Sequence, residues 1–107
     1  MRQLQPASAL IDAGYSAIDK GTTLLKAMAN ENRLRILCLL DDAELSVTEL
    51  NRKLNLSQSA LSQHLAILRR ENLVVTRRAS QTIYYSLAGD EARTVVDSLI
   101  ALYGKSR

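Results

Sequence analysis

The sequence predicts a mainly α-helical domain that contains one small β-hairpin. Apolar residues recur at helical spacing over most of residues 7–70, which favours a series of short helices. Residues 73–87 change to a composition rich in Val, Thr, Ile and Tyr, which is typical of two strands. Helical spacing returns at residues 90–103. The chain of 107 residues suits one domain, and its core must be aliphatic because Trp and Phe are absent.

The first part of the chain predicts two helical segments separated by a glycine. Residues 1–8 contain Pro6 and are expected to form a flexible start. A weak apolar stripe predicts a helix over residues 7–19, and Gly21 is expected to interrupt the pattern. The helical pattern then continues over residues 22–29.

A further helix is predicted to begin after Asn30, whose side chain suits the N-cap position. This helix extends to about Leu40 and is apolar on nearly all sides. A helix of that kind belongs in the core. The acidic segment at residues 41–44 is expected to end it.

The next two helices are short and closely spaced. Ser46 and Glu49 have the spacing of a capping box, and the helix that they begin extends to about Leu54. Asn55 tolerates the left-handed conformation in which helices often end. Ser57 then suits the N-cap of the following helix. Two short helices joined by a turn of about three or four residues predict a helix-turn-helix.

The second of these helices, over residues 57–70, has two unlike faces. One face is apolar and the other carries short polar side chains, with arginine only near its end. Short hydroxyl and amide groups let a helix lie close to a DNA groove, where Gln and Ser reach base edges. We interpret this helix as a DNA recognition helix; the alternative is an amphipathic core helix with a Ser/Gln-rich outside. The apolar face contains Ala60, Leu61, Leu65 and Leu68, and the polar face contains Ser59, Ser62, Gln63, Ala66 and Arg70.

A β-hairpin is predicted from residues 73–78 and 81–87, with Ala79-Ser80 between the strands. The connection is not of the Asn-Gly type, so we expect a wider loop. A hairpin with a basic tip directly after a recognition helix is expected to be a wing that binds phosphates or an adjacent minor groove; the alternative is a solvated turn with incidental arginines. The polar residues of the tip are Arg77, Arg78 and Gln81.

The last helix is predicted to be capped by Asp90 and to extend to about Tyr103. Its apolar stripe is stronger than one helix of a small domain needs, so we expect it to form a dimer interface with the first helix. A symmetric dimer would present two recognition helices about one DNA turn apart, which matches a palindromic operator. The stripe contains Ala92, Val95, Val96, Leu99, Ile100 and Leu102.

Positive charge is concentrated in the middle of the chain. The net charge of the chain is +3. Residues 51–80 alone carry +5, from six basic residues and one acid. The remainder therefore carries −2. A basic block on an otherwise slightly acidic chain is typical of proteins that bind a phosphate backbone. The charged residues of the block are Arg52, Lys53, Arg69, Arg70, Arg77, Arg78 and Glu71.

Several function classes are not expected. The sequence has no Gly-rich phosphate loop and no nucleophile, histidine and acid that this fold would bring together, so we do not expect an enzyme. It has no apolar run of about 18 residues and no signal peptide, so we expect a cytoplasmic protein without a membrane partner. A single Cys forms no internal disulfide, which agrees with a reducing compartment.

From about Leu24 to Tyr103, the chain resembles the ArsR/SmtB family of winged helix-turn-helix repressors, and within it the HlyU and BigR/SqrR branch. Residues 25–34, 44–50 and 56–65 carry the resemblance, together with Tyr84-Tyr85 at the end of the wing. The resemblance implies a homodimer that binds an operator as a repressor or anti-repressor and that a small inducer releases. It also implies a DNA-contact role for the matching residues Ser57, Gln58, Ser59, Ser62, Gln63 and His64.

Known metal sites of the family do not carry over to this sequence. Arsenic and cadmium sensors have cysteines in the segment that matches residues 45–48, where this chain has Ser46 and Thr48. Zinc sensors use histidine and carboxylates on the last helix, which has no nitrogen donor here. Oxygen ligands alone suit zinc poorly. We therefore expect neither a metal nor another cofactor.

The resemblance makes Cys38 a redox candidate. The sulfide-sensing branch uses two cysteines, one at the position of Cys38 and one at the position occupied here by Gly104. A bridge within one chain is therefore not expected. Modification of Cys38 alone, or pairing with another molecule, stays open beside the alternative that Cys38 is a small core hydrophobe.

We therefore expect a winged helix-turn-helix domain over residues 9–103, followed by a tail at residues 104–107. The leading hypothesis is a transcriptional regulator of double-stranded DNA, in which Ser59, Ser62 and Gln63 read bases and the arginines at residues 69, 70, 77 and 78 hold phosphates. The alternatives are a constitutive DNA-binding protein without an inducer and a winged-helix module that binds another protein.

Overall fold

A computed structural model describes residues 5–104. The first half of the predicted start at residues 1–8 and nearly all of the predicted tail at residues 104–107 lie outside the described residues. In chain order the elements are α1 (Ser8–Asp12), α2 (Tyr15–Met28), α3 (Glu31–Asp42), β1 (Leu45–Ser46), α4 (Val47–Leu54), α5 (Gln58–Arg70), β2 (Val74–Ala79), β3 (Thr82–Leu87) and α6 (Glu91–Tyr103).

The first helical region is interrupted at Gly14, and the predicted interruption at Gly21 is wrong. Gly14 precedes α2 with a φ of 106°, a conformation that side chains other than glycine rarely adopt. Gly21 lies inside α2. One glycine within a helix costs about 1 kcal/mol relative to alanine, and α2 offsets this by burying Ala27 and Met28 at its end.

The start of α3 confirms the predicted cap. The Oδ1 atom of Asn30 accepts hydrogen bonds from the backbone N–H groups of Asn32 at 2.9 Å and Arg33 at 3.0 Å. The helix continues through Asp42, two residues beyond the predicted end. Acidic residues are thus tolerated in its last turn, where one of them, Asp41, forms an ion pair with Arg93 of α6.

Only one side of α3 is buried, so the expectation of a helix that is apolar on nearly all sides and enclosed in the core is wrong. The buried residues are Ile36, Leu37 and Leu40. The opposite side carries Arg35 and Cys38, which are exposed. The outer side of this helix is therefore polar and charged, although Leu is the most frequent residue in the helix.

The helix-turn-helix forms as its local signals predict. Ser46 Oγ accepts from the N–H of Glu49 at 3.1 Å, and the Glu49 carboxylate accepts from the N–H of Ser46 at 2.8 Å. Asn55 ends α4 in the left-handed conformation with a φ of 57°. The Oγ atom of Ser57 accepts from the N–H of Ala60 at 3.1 Å and caps α5.

The hairpin belongs to a three-stranded antiparallel sheet with the order β1-β3-β2. The third strand, β1, was not predicted, because two residues carry too little of an alternating pattern to be recognised. The predicted wider loop is wrong as well. Ala79 pairs with Thr82, so only Ser80 and Gln81 form the turn, and Ser80 has a φ of 60°. We call the β2–β3 hairpin the wing.

Helices α2 to α6 and the wing surround one aliphatic core. It includes residues from each of these helices and from the base of the wing, and it anchors the apolar face of α5. The buried hydrophobic residues are Ala27, Met28, Ile36, Leu37, Leu40, Leu50, Leu61, Leu65, Leu68, Leu73, Val74, Ala92 and Val96.

The last helix begins where predicted, but the predicted side-chain cap is wrong. The Asp90 side chain makes no capping hydrogen bond; its backbone carbonyl accepts from the N–H and hydroxyl of Thr94. The apolar stripe divides into a buried part and an exposed part, because only its first turns reach the core. Ile100 and Tyr103 remain 53% and 79% exposed.

Candidate nucleic-acid interface

The outward face of α5 brings together most of the predicted base-reading residues. Three leucines anchor the opposite face in the core, so the side that faces away from them is fixed in orientation. The exposed polar side chains are short near the start of the helix and become basic in its last turn. These exposed residues are Ser57, Gln58, Ser59, Ser62, Gln63, Ala66, Arg69 and Arg70.

The first turn of α5 has the electrostatics of an anion-binding end. It contains no acidic residue, and its N-cap, Ser57, is neutral and exposed. The free N–H groups and the positive end of the helix dipole favour phosphate oxygens there. The N-terminal end therefore suits a phosphate contact, while the middle of the exposed face suits base edges.

A groove lies between α5 and the sheet. Tyr85 of β3 forms one side of it, and residues of α5 form the other side. Arg70, at the end of this groove, pairs with Glu71 at 3.2 Å, whereas Arg69 is exposed and forms no ion pair within residues 5–104. The lining residues are Val47, Ser62, Leu65, Ala66, Arg69, Arg70 and Tyr85.

The two wing arginines are not equivalent. Arg77 donates from Nε and Nη2 to the Glu44 carboxylate, with both N–O distances at 2.8 Å, and its guanidinium lies 5.0 Å from the centre of the Tyr84 ring. The hydrogen bonds and the negative charge of Glu44 raise the pKa of Arg77. Arg78 is exposed, and the part of the chain that the structure describes gives it no ion pair.

His64 lies toward α3, away from the centre of the exposed face of α5. Its Nδ1 atom is 3.5 Å from Nη1 of Arg33, and the Nε of Arg33 donates to the carbonyl of Ala27 at 2.6 Å. Partial burial, and then the positive charge of Arg33, lower the pKa of His64. The neutral imidazole is therefore favoured, and it links α5 to the junction between α2 and α3.

Cys38 lies on the surface of the described chain, so the alternative of a core hydrophobe is wrong. It opens into a shallow groove between α3 and α4, with Leu34, Leu39 and Leu54 as apolar neighbours. Although the residue is exposed, partial burial of the thiol raises the pKa of Cys38, and the carboxylates at residues 41 and 42 raise it further. The reactive thiolate is therefore disfavoured at neutral pH.

Within residues 5–104, no three His, Cys, Asp or Glu side chains are grouped closely enough to hold a metal ion. In the same range, no helix combines the length and apolar character needed to span a bilayer.

Sequence analysis missed two residues that shape this surface, Glu44 and Arg33. Glu44 pairs with a residue 33 positions away and Arg33 contacts one 31 positions away, so no local pattern indicates either contact. The difference between Arg77 and Arg78, in contrast, could have been predicted from the sequence. Successive residues of a strand point to opposite faces, which prevents two adjacent arginines from sharing one surface.

Comparisons with known proteins agree with this geometry. A family model described as "Bacterial regulatory protein, arsR family" matches residues 30–76. The transcriptional activator HlyU of Vibrio cholerae is 58% identical over 84 residues, which are 78% of this chain and 78% of that protein. The solved structure of HlyU from Vibrio cholerae has a TM-score of 0.82 at 53% identity, and the match covers 86% of this chain and 100% of that one. The transcriptional repressor BigR from Xylella fastidiosa has a TM-score of 0.81 at 30% identity, covering 91% and 98%.

A capped helix-turn-helix followed by a wing and packed on further helices defines the winged helix-turn-helix class of DNA-binding proteins. The comparisons identify the family within that class. The chain belongs to the ArsR family of bacterial regulatory proteins, and it is a DNA-binding transcriptional regulator rather than an enzyme. The resemblance to the HlyU and BigR branch is confirmed.

Proposed function

We propose that this regulator binds a palindromic operator as a homodimer and acts as a repressor or an anti-repressor. The observation that carries the proposal is the exposed face of α5, which is polar, uncharged in its first turns and fixed from behind by buried leucines. Because its ligand would be chromosomal DNA, the proposal implies that the protein works in the cytoplasm. The HlyU relative is named an activator and BigR a repressor, so the relatives support either direction of regulation.

In this proposal the recognition helix reads sequence and the flanking groups bind the backbone. Ser59, Ser62 and Gln63 would contact base edges in the major groove, because short hydroxyls and an amide both donate and accept hydrogen bonds. The first turn at Ser57 and Gln58 would bind a phosphate at the helix N-terminus. Further phosphate contacts would come from Arg69, Arg70, Arg78 and Gln81, whereas His64 would act by supporting the helix.

The homodimer is supported by an apolar surface that the single chain leaves uncovered. Helix α1 contacts α2, and α2 contacts α6. All three helices carry large apolar side chains that remain exposed, and exposed apolar patches mark protein interfaces. A second copy of the chain would cover it and set two α5 helices in symmetric positions. Its residues are Leu10, Ile11, Tyr15, Ile18, Leu25, Ile100, Leu102 and Tyr103.

A response to reactive sulfur through Cys38 is a second part of the proposal, supported by the exposure of that thiol. The thiolate would attack one sulfur of a polysulfide, giving a Cys38 persulfide and releasing a polysulfide shortened by that sulfur. Because the pKa of Cys38 is raised, the thiolate is a minor species, and we expect this reaction to be slow at neutral pH. Gly104 at the end of α6 offers no second thiol, so the persulfide would not close into a bridge within the chain.

The test is DNA binding by the purified protein to a labelled duplex from upstream of its own coding sequence, with footprinting and sedimentation. We expect a protected site with two-fold symmetry and a dimer at micromolar concentration. Absence of sequence-specific protection, or a monomer, would overturn the operator and dimer proposals respectively.

The thiol response is tested with the same duplex after polysulfide treatment. We expect release from the wild type and not from Cys38→Ser. Equal binding before and after treatment would leave either a constitutive DNA-binding protein or one that responds to another signal. Binding that does not weaken with rising salt would favour a protein-interaction module instead.

A further inference from the structure

The two arginines of the wing lie on opposite faces of the sheet. Arg77 is directly opposite Tyr84, and Arg78 is directly opposite Ile83. Residues that face each other across antiparallel strands share a face, and consecutive residues alternate. Arg78 is therefore on the face that carries Tyr85, which lines the groove beside α5. Arg77 is on the other face, away from that groove.

The Arg77 side chain is tied to the far edge of the sheet. Glu44 directly precedes β1, which is one edge strand, whereas Arg77 belongs to β2, which is the other. Their ion pair crosses the middle strand above the Tyr84 ring. Both ends of the Glu44 carboxylate are used, one for Nε and one for Nη2 of Arg77. A paired, charge-assisted contact of this geometry fixes the guanidinium in position as well as in charge.

The pairing changes what Arg77 offers to DNA. The Arg77 side chain is 57% exposed and that of Glu44 is 34% exposed, so a phosphate has access to them. Two of its five N–H donors, on Nε and Nη2, are nevertheless committed to Glu44, and the pair as a unit is neutral. A neutral pair displaces no counterion from DNA, and counterion release is what makes phosphate contacts favourable. Arg78 has no such partner within residues 5–104.

We propose that Glu44 is a positioning residue that withholds Arg77 from the DNA backbone and leaves Arg78 as the phosphate-binding arginine of the wing. This inference rests on the proposed function, because it requires the wing to dock on DNA. It makes Glu44 a determinant of how strongly the wing binds, although Glu44 itself contacts no DNA.

The experiment measures how the logarithm of the binding constant depends on the logarithm of salt concentration, using the labelled upstream duplex. Each phosphate contact contributes about 0.9 to the slope. We expect Glu44→Gln to steepen the slope by about 0.9 for each bound wing, because Arg77 is released to bind phosphate. The double variant Glu44→Gln with Arg77→Gln should return to the wild-type slope. Arg78→Gln should make the slope shallower by about the same amount.

Asp42→Asn is the matched control. It removes one carboxylate two positions from Glu44, is exposed, and forms no ion pair in the described part of the chain. We expect the wild-type slope. An equal steepening in Asp42→Asn and Glu44→Gln would reduce the effect to net charge and overturn the inference.

Two further outcomes also overturn the inference. One is a wild-type slope for folded Glu44→Gln. The other is that Arg77→Gln alone makes the salt slope as much shallower as Arg78→Gln does. This comparison tests the inference even where Glu44→Gln fails to fold. A wild-type protein that shows no salt-dependent binding to the duplex would refute the proposed function itself, which separates the two failures.

Discussion

The recognition helix α5 and the wing are neighbouring surfaces that hold their polar side chains in different ways. On α5 the backbone is fixed by buried Leu61, Leu65 and Leu68, and the polar side chains on the outer face are largely unpaired with each other. On the wing the backbone is fixed at its base, and one arginine is bound by Glu44. The packed helix therefore leaves its outer polar side chains available for a partner, whereas the wing engages one of its two arginines in an ion pair across the sheet.

The largest expected effect is a loss of stability when the buried apolar face of α5 is truncated. Leu65 is 2% exposed, so Leu65→Ala leaves a cavity under α5 and should lower the free energy of unfolding by about 2–5 kcal/mol. Urea unfolding measures the loss. Ser62→Ala on the exposed face is the control and should change stability by less than about 0.5 kcal/mol. A Leu65→Ala protein as stable as the control would mean that α5 is not fixed by its apolar face.

The next largest effect should distinguish base contacts made by α5 from phosphate contacts made by the wing. Gln63→Ala removes an amide that would pair with a base, so it should cost about 1–3 kcal/mol at one base pair and relax preference there. Arg78→Gln on the wing should weaken binding to all duplexes alike. Binding to the operator and to singly substituted operators measures both. Full sequence preference in Gln63→Ala would contradict the docking of α5 in the groove.

A smaller effect concerns the turn of the wing. Ser80 has a φ of 60°, where a Cβ is disfavoured, so Ser80→Gly should raise the free energy of unfolding by about 0.5–1 kcal/mol. Ser86→Gly, within β3, is the control and should lower it, because a glycine in a strand loses side-chain packing. Thermal unfolding gives both values, and a lower melting temperature for Ser80→Gly would contradict the two-residue turn.

The smallest expected effect is a dependence of the free energy of unfolding on pH, through His64 of α5. Because the pKa of His64 is lowered in the folded protein, the unfolded chain takes up that proton first as the pH falls. The stability from neutral His64 is complete above about pH 6.5 and declines as the pH falls toward the lowered folded value. Unfolding measured over this range should show the decline in the wild type and not in His64→Gln. His64 is the only histidine, which makes the assignment direct.

Sequence reasoning succeeded for this protein where the deciding contacts are local. The capping box at Ser46 and Glu49, the left-handed Asn55 and the cap at Ser57 each depend on residues within three positions, and all formed as predicted. The orientation of α5 followed from the 3.6-residue period of its leucines, because that period alone sets which side is buried.

The failures involve contacts between distant segments or competition between local preferences. The strand β1 exists only because Leu45 and Ser46 pair with Tyr85 and Tyr84, about forty positions later. Gly21 continues a helix because packing at the end of α2 outweighs its low propensity. The DNA contacts of the site residues and the boundaries of residues 9–103 as a domain remain predictions.

The strand β1 has a mechanical consequence. Ser46 is at once a partner of β3 and the residue that caps α4, so the sheet and the helix-turn-helix meet in a single residue. The wing and the helix-turn-helix are thereby joined through one residue. If both contact DNA as we propose, this junction sets the distance between their contacts, and a duplex whose grooves differ in width or phase would have to bend or twist to fit both. The stiffness of the DNA between the contacted bases would then contribute to what this regulator discriminates.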